Sequence, residues 1–69
     1  MKEPKYNPGL WVVFKMKDGA GFGKIDGGFF DPDSGWIYHI YNATKPTDTY
    51  TVAEVDVTAK SDGGAWTKV

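Results

Sequence analysis

Turn chemistry interrupts this sequence about every ten residues, which leaves no room for an amphipathic helix of ordinary length. Pro8-Gly9, Asp18-Gly19, Asp31-Pro32-Asp33-Ser34-Gly35 and Ser61-Asp62-Gly63-Gly64 break the chain, and a polar loop around Pro46 runs from Asn42 to Asp48. The runs between them are β-branched and aromatic, and none shows a 3.6-residue period. Short antiparallel strands are the expected solution.

The strands can be placed by alternation. Leu10, Val12, Phe14 and Met16 fall on one face of the first, with Trp11, Val13, Lys15 and Lys17 on the other. Asp18-Gly19 predicts a tight hairpin with positive φ at the glycine. A second strand runs from Phe22 to Phe30, and Gly27-Gly28 inside it predicts a bulge or sharp bend. Trp36–Tyr41 is the most β-prone stretch and the expected central strand, and Thr49–Ala53 is the fourth. Glu54–Val57 opens either a 3₁₀ turn or a fifth strand reaching Lys60, and Ala65–Val69 closes the set. Residues 1–9 carry Pro4, Pro8 and Gly9 and are read as an extended arm before a single domain at 10–69.

Size sharpens the problem. A 69-residue chain buries only about 60% of the surface its unfolded form exposes. It has no Cys, so neither a disulfide framework nor a thiolate metal site can support it. Packing alone must do so, and curling a small sheet into a barrel hides the edges that invite aggregation. The fold class expected is therefore all-β, a small antiparallel barrel of five or six strands. Leu10, Val12, Phe14, Ile25, Ile40, Val52, Val55 and Val57 are the expected filling, with rings from Phe29, Tyr38 and Trp66. Three Trp, four Tyr and four Phe exceed what such a core encloses. Trp11, Phe22, Trp36, Tyr41 and Tyr50 are thus expected on the outside, where exposed rings form grooves for peptides or cationic side chains.

Two families of small barrel share features with this chain. Val12 to Ile25, a Val-x-Phe-Lys strand followed by a Gly-rich turn and Gly-x-Ile, resembles the first hairpin of SH3-like and Tudor-like barrels. Tyr50 to Val57 resembles their late Val-x-Glu-x-Asp-Val turn, so the likeness covers most of residues 10–57 and implies a protein-interaction module. Gly21-Phe22-Gly23-Lys24-Ile25 and Ile37-Tyr38-His39-Ile40 are similar to the two nucleic-acid-binding segments of cold-shock domains, which are OB-fold barrels. That likeness implies single-strand binding through Phe22, His39 and the neighbouring Lys24, although Lys24 and Ile37 replace two stacking rings. A third likeness is to type II dihydrofolate reductases, SH3-like barrels that form one pore from four copies. It is confined to Tyr50, Val52 and Ala53.

Motifs for chemistry are incomplete. Asp31-x-Asp33-x-Gly35 opens like a calcium loop, but Ser34 precedes the glycine and Asn42 stands where the bidentate Glu belongs, which leaves a hairpin turn. Gly19-x-Gly21-x-Gly23 has no helix after it to bind phosphate. Asn42-Ala43-Thr44 matches a glycosylation sequon but reads as a polar loop. The lone His39 has no Cys or second His to work with, and Glu54 and Asp56 are read as rim carboxylates accepting backbone N–H bonds.

The formal charge of -1 and the absence of Arg disfavour nucleic acid. No apolar leader or bilayer-length run appears, so a cytoplasmic address without membrane contact is expected. The function expected is a non-catalytic protein-interaction module without cofactor or metal, of the kind found among small bacterial or phage accessory proteins. Its candidate surface is Trp11, Phe22, Lys24, Trp36, His39, Tyr41 and Tyr50. The partner expected is a protein, a peptide or a second copy of the chain.

Overall fold

A computed structural model of the chain describes residues 3–42, 44–45 and 47–69. Met1, Lys2, Ala43 and Pro46 lie outside the described residues, and with them the start of the arm, the middle of the sequon and the loop proline. Six strands form: β1 (Trp11–Met16), β2 (Gly19–Asp31), β3 (Gly35–Asn42), β4 (Thr49–Ala53), β5 (Val57–Ser61) and β6 (Thr67–Lys68), with a 3₁₀ turn at Glu54–Asp56. They make one antiparallel sheet in the order β4-β3-β2-β1-β5-β6. The sheet is open, with β4 and β6 as its edges.

The sheet curls tightly around its inner face. Although β2 and β3 separate β1 from β4 in the sheet, the rings of Phe14 on β1 and Tyr50 on β4 lie only 5.4 Å apart. The inward positions of β2 make room for this curl. A Cβ at Gly23 would strike the Tyr41 carbonyl oxygen, and one at Gly28 would stand 2.5 Å from that of Ile37. Only glycine permits strands to approach so closely.

A bulge sets the faces of the long strand β2. Its register steps from Ile25↔Ile40 to Gly27↔His39, leaving Asp26 without a partner. The inward positions therefore change from odd numbers, ending at Ile25, to even numbers beginning at Gly28, because strand side chains alternate with period two. This overturns the expected burial of Phe29, which is 46% exposed. Phe30 takes the inner face instead, edge-on to Trp36 at 5.8 Å. A second irregularity lies between Val13 and Phe14 opposite β5. There the Thr58 hydroxyl donates to the Val13 carbonyl at 3.2 Å.

Val12, Phe14, Ile25, Tyr38, Ile40, Val52 and Val57 fill the concave side, together with Tyr6 from the N-terminal arm. Leu10, Trp36 and Tyr50 pack against them, half-buried. Val55, expected inside, is 84% exposed because the 3₁₀ turn replaces strand alternation there. Trp66 is 48% exposed, since β6 is only two residues long and holds no ring over the core. Trp36 and Tyr50, expected outside, share the strand parity of Tyr38 and Val52 and so face inward. Tyr50→Ala is accordingly expected to lower the unfolding free energy by about 2 kcal/mol in urea, roughly half the cost of deleting a fully buried ring. Val55→Thr should leave it unchanged.

The arm is held at the mouth of the curl by one polar node. The Tyr38 hydroxyl donates to Glu54 Oε2 at 2.5 Å and accepts the Tyr6 backbone N–H at 3.2 Å. The Lys5 N–H donates to the same carboxylate oxygen at 3.1 Å. Rings of Tyr6 and Tyr38 meet at 5.5 Å. The Gly9 N–H continues the attachment by donating to the Ile25 carbonyl at 2.8 Å.

Candidate functional site

The convex side of the sheet gathers most of the candidate residues. Trp11 pairs with Lys24, Lys24 with Tyr41 and Tyr41 with Thr49, so these four side chains form one row across β1 to β4. The next row joins Phe22 to Val13, Val13 to Ala59 and Ala59 to Lys68. Directly paired residues on adjacent strands point to the same face, which makes each row a continuous strip of surface.

Within the strip, the Lys24 ammonium stands over the Trp11 ring, 5.7 Å from its centroid. At that distance the ring quadrupole attracts the cation. Trp11 and Tyr41 are half-buried by their neighbours, whereas Phe22 is 46% exposed. Trp66 stands beside Phe22, and with Val13, Ala20 and Gly21 they line a shallow apolar groove of about 330 Å³. The rows of Trp11, Val13 and Lys15 present Lys15, Lys24 and Lys68 and no carboxylate. A chain of net charge -1 thus has a locally cationic, aromatic face.

His39 lies farther along the same face. It is exposed, pairs with Gly27 and Thr51, and its ring lies 5.7 Å from Phe29. The fold therefore brings Trp11, Phe22, Lys24, Tyr41 and His39 to one side and places Trp36 and Tyr50 on the other. Trp66 and Phe29 join the outer face without having been expected there. The bulge at Asp26 is what turns Phe29 outward, and the Gly27-Gly28 pair was its signal in the sequence.

The incomplete motifs resolve into local backbone bonding. Asp31 Oδ1 accepts the Asp33 N–H at 2.9 Å, a side-chain turn that supports the β2–β3 hairpin. Asn42 Oδ1 accepts the Thr44 N–H and hydroxyl, both at 2.8 Å. Glu54 accepts backbone N–H as a rim carboxylate should. A second cleft of about 550 Å³ lies between the arm and the β5–β6 hairpin. It mixes Lys5 and Lys60 with Asp62 and has no single charge preference.

Among the described residues no helix is long and apolar enough to cross a membrane. In comparisons with known proteins the chain matches no family model, no curated protein and no solved structure.

Proposed function

We propose that this chain is a non-catalytic protein-interaction module, built on an SH3-like scaffold and acting in the cytoplasm, whose convex face binds a partner protein. The observation that carries the reading is the strip itself: Trp11 and Phe22 stand with Lys15, Lys24 and Lys68 in rows that hold no carboxylate, and Trp66 lines the groove beside Phe22. Large rings supply contact area at low entropic cost, and the lysines select for negative charge. The partner segment is therefore acidic with interspersed apolar side chains.

Strand order supports the SH3-like scaffold. β1 to β4 form a meander, a 3₁₀ turn follows β4, and β5 returns to pair with β1. An OB-fold has Greek-key connections instead. Single-strand nucleic-acid binding is further disfavoured because Lys24 already occupies a face of the Trp11 ring on which a base would stack. The pore-enzyme reading fits less well still, since Tyr50 and Val52, which carry that likeness, face this chain's own core.

Panning a random twelve-residue display library against the protein tests the proposal. Enriched peptides are expected to be rich in Asp and Glu with aromatic or aliphatic residues between. They should bind Phe22→Ser at least tenfold more weakly at a temperature where the variant is fully folded; losing a ring that is 46% exposed lowers stability by about 1 kcal/mol, a fall of about 4–8 °C in melting temperature. Enriched peptides that bind Phe22→Ser equally well would overturn it. So would tighter binding of a twelve-residue oligothymidylate, seen as quenching of Trp fluorescence at low salt.

A further inference from the structure

The two edges of the sheet are unequally protected. β6 is two residues long and carries Lys68, a short charged edge of the kind that prevents pairing with other chains. β4 is five residues, Thr-Tyr-Thr-Val-Ala, with neither charge nor proline.

Ladder geometry identifies the groups that β4 presents. The Asn42 N–H donates to the Asp48 carbonyl at 2.9 Å, which makes this a hydrogen-bonded pair at the head of the β3–β4 ladder. Hydrogen-bonded and non-hydrogen-bonded pairs alternate along antiparallel strands. Ile40–Tyr50 and Tyr38–Val52 therefore bond within the sheet, while Thr49, opposite Tyr41, and Thr51, opposite His39, turn their N–H and C=O groups to the free edge. Both threonines are exposed. Among the described residues no turn or loop backbone group bonds to either.

We propose that β4 is a docking edge, which takes an extended segment of a partner protein as a seventh strand. Charge selects the occupant. Asp48 precedes β4, and Glu54 and Asp56 follow it, with Lys45 as the cation of the preceding loop. A second copy paired antiparallel about Thr51 would bring the acidic flanks of the two chains together, Asp48 of each toward the Glu54–Asp56 turn of the other, and like charges brought together in this way repel. A foreign strand with Lys or Arg at its ends meets the acidic flanks favourably. Its inward side chains would continue the apolar row of Tyr50 and Val52, so alternate positions should be β-branched or aromatic. This edge offers backbone groups rather than rings and adjoins the convex strip only at Thr49.

The test uses a library of ten-residue peptides with Lys at both ends and Thr, Val, Ile and Tyr varied between them. Amide exchange at Thr49 and Thr51 is expected to slow on binding of the selected peptides. Thr51→Pro removes an outward N–H that no ladder bond uses, a substitution edge strands tolerate. It should weaken binding at least tenfold, whereas Thr51→Val and Phe22→Ser should not change it. Selected peptides that bind Thr51→Pro equally well, that protect amides elsewhere, or that fail to emerge at all overturn the proposal. So does a dimer of the free protein that protects these same amides. Should Thr51→Pro not fold, amide protection in the parent protein still decides.

Discussion

Gly23→Ala is expected to destabilise the protein by about 3 kcal/mol, the upper range for forcing extra atoms into a packed interior. The new methyl group would strike the Tyr41 carbonyl oxygen and approach Ile40 Cγ2 to 2.8 Å. A backbone oxygen cannot rotate away as a side chain can, so β2 and β3 would have to separate where they pair, at Gly23↔Asn42 and Lys24↔Tyr41. Core and outer strip would suffer together, because Ile40 lies under this contact and Lys24 and Tyr41 form part of the convex row. Urea unfolding of Gly23→Ala beside Gly27→Ala separates this cause from a general strand effect. A methyl group added at Gly27 would meet nothing within 4 Å, so that substitution should be neutral or stabilise by a few tenths of a kcal/mol. Equal losses in the two variants would show that the close approach at Gly23 does not govern the curl.

The same contact explains what could be read from the sequence. Turn residues and alternation located every strand to within a few residues, because Gly, Pro, Asp and β-branched side chains act through local sterics. Which face each ring takes depends on register, and one unpaired residue reverses it. Phe29 shares odd parity with Ile25 and belongs inside unless a bulge intervenes; Asp26 supplies that bulge. Trp36 and Tyr50 were legible by the same rule. They share parity with Tyr38 and Val52, so if those are core, the two rings must be as well. The burial of Tyr6 was not legible, since the prolines around it signal an arm without saying where the arm lies. The candidate strip shows the same division. Trp11, Phe22 and Lys24 follow from the alternation of β1 and β2, whereas Trp66 depends on a hairpin whose position no local rule fixes.

Tyr38→Phe is expected to cost about 3 kcal/mol although it deletes a single oxygen. That oxygen connects three parts of the fold: β3, the 3₁₀ turn through Glu54, and the arm through the Tyr6 N–H. Without it, a buried donor and a partly buried carboxylate each lose a partner, at about 1–3 kcal/mol for a neutral group and more for a charged one. Faster amide exchange at Lys5 and Tyr6 should accompany the loss. The node also predicts the response to alkali. Burial, reinforced by the hydrogen bond to Glu54, holds the Tyr38 hydroxyl far above the ordinary tyrosine range. Burial and the nearby Glu54 charge push Tyr6 up as well. In the unfolded chain both phenols release their protons near pH 10, while in the folded chain Tyr38 holds its proton well beyond that point and Tyr6 releases its proton later than it does unfolded. The unfolded state therefore binds fewer protons above that point, and stability, complete below about pH 10, falls as the pH rises, by up to about 1.4 kcal/mol per pH unit for each group. Tyr38→Phe removes one of these contributions, so its stability should decline less steeply between about pH 10 and 12. Parallel declines in the parent and the variant would show that Tyr38 ionises as freely in the folded protein as in the unfolded chain, and the node would then not be the lock that holds the arm.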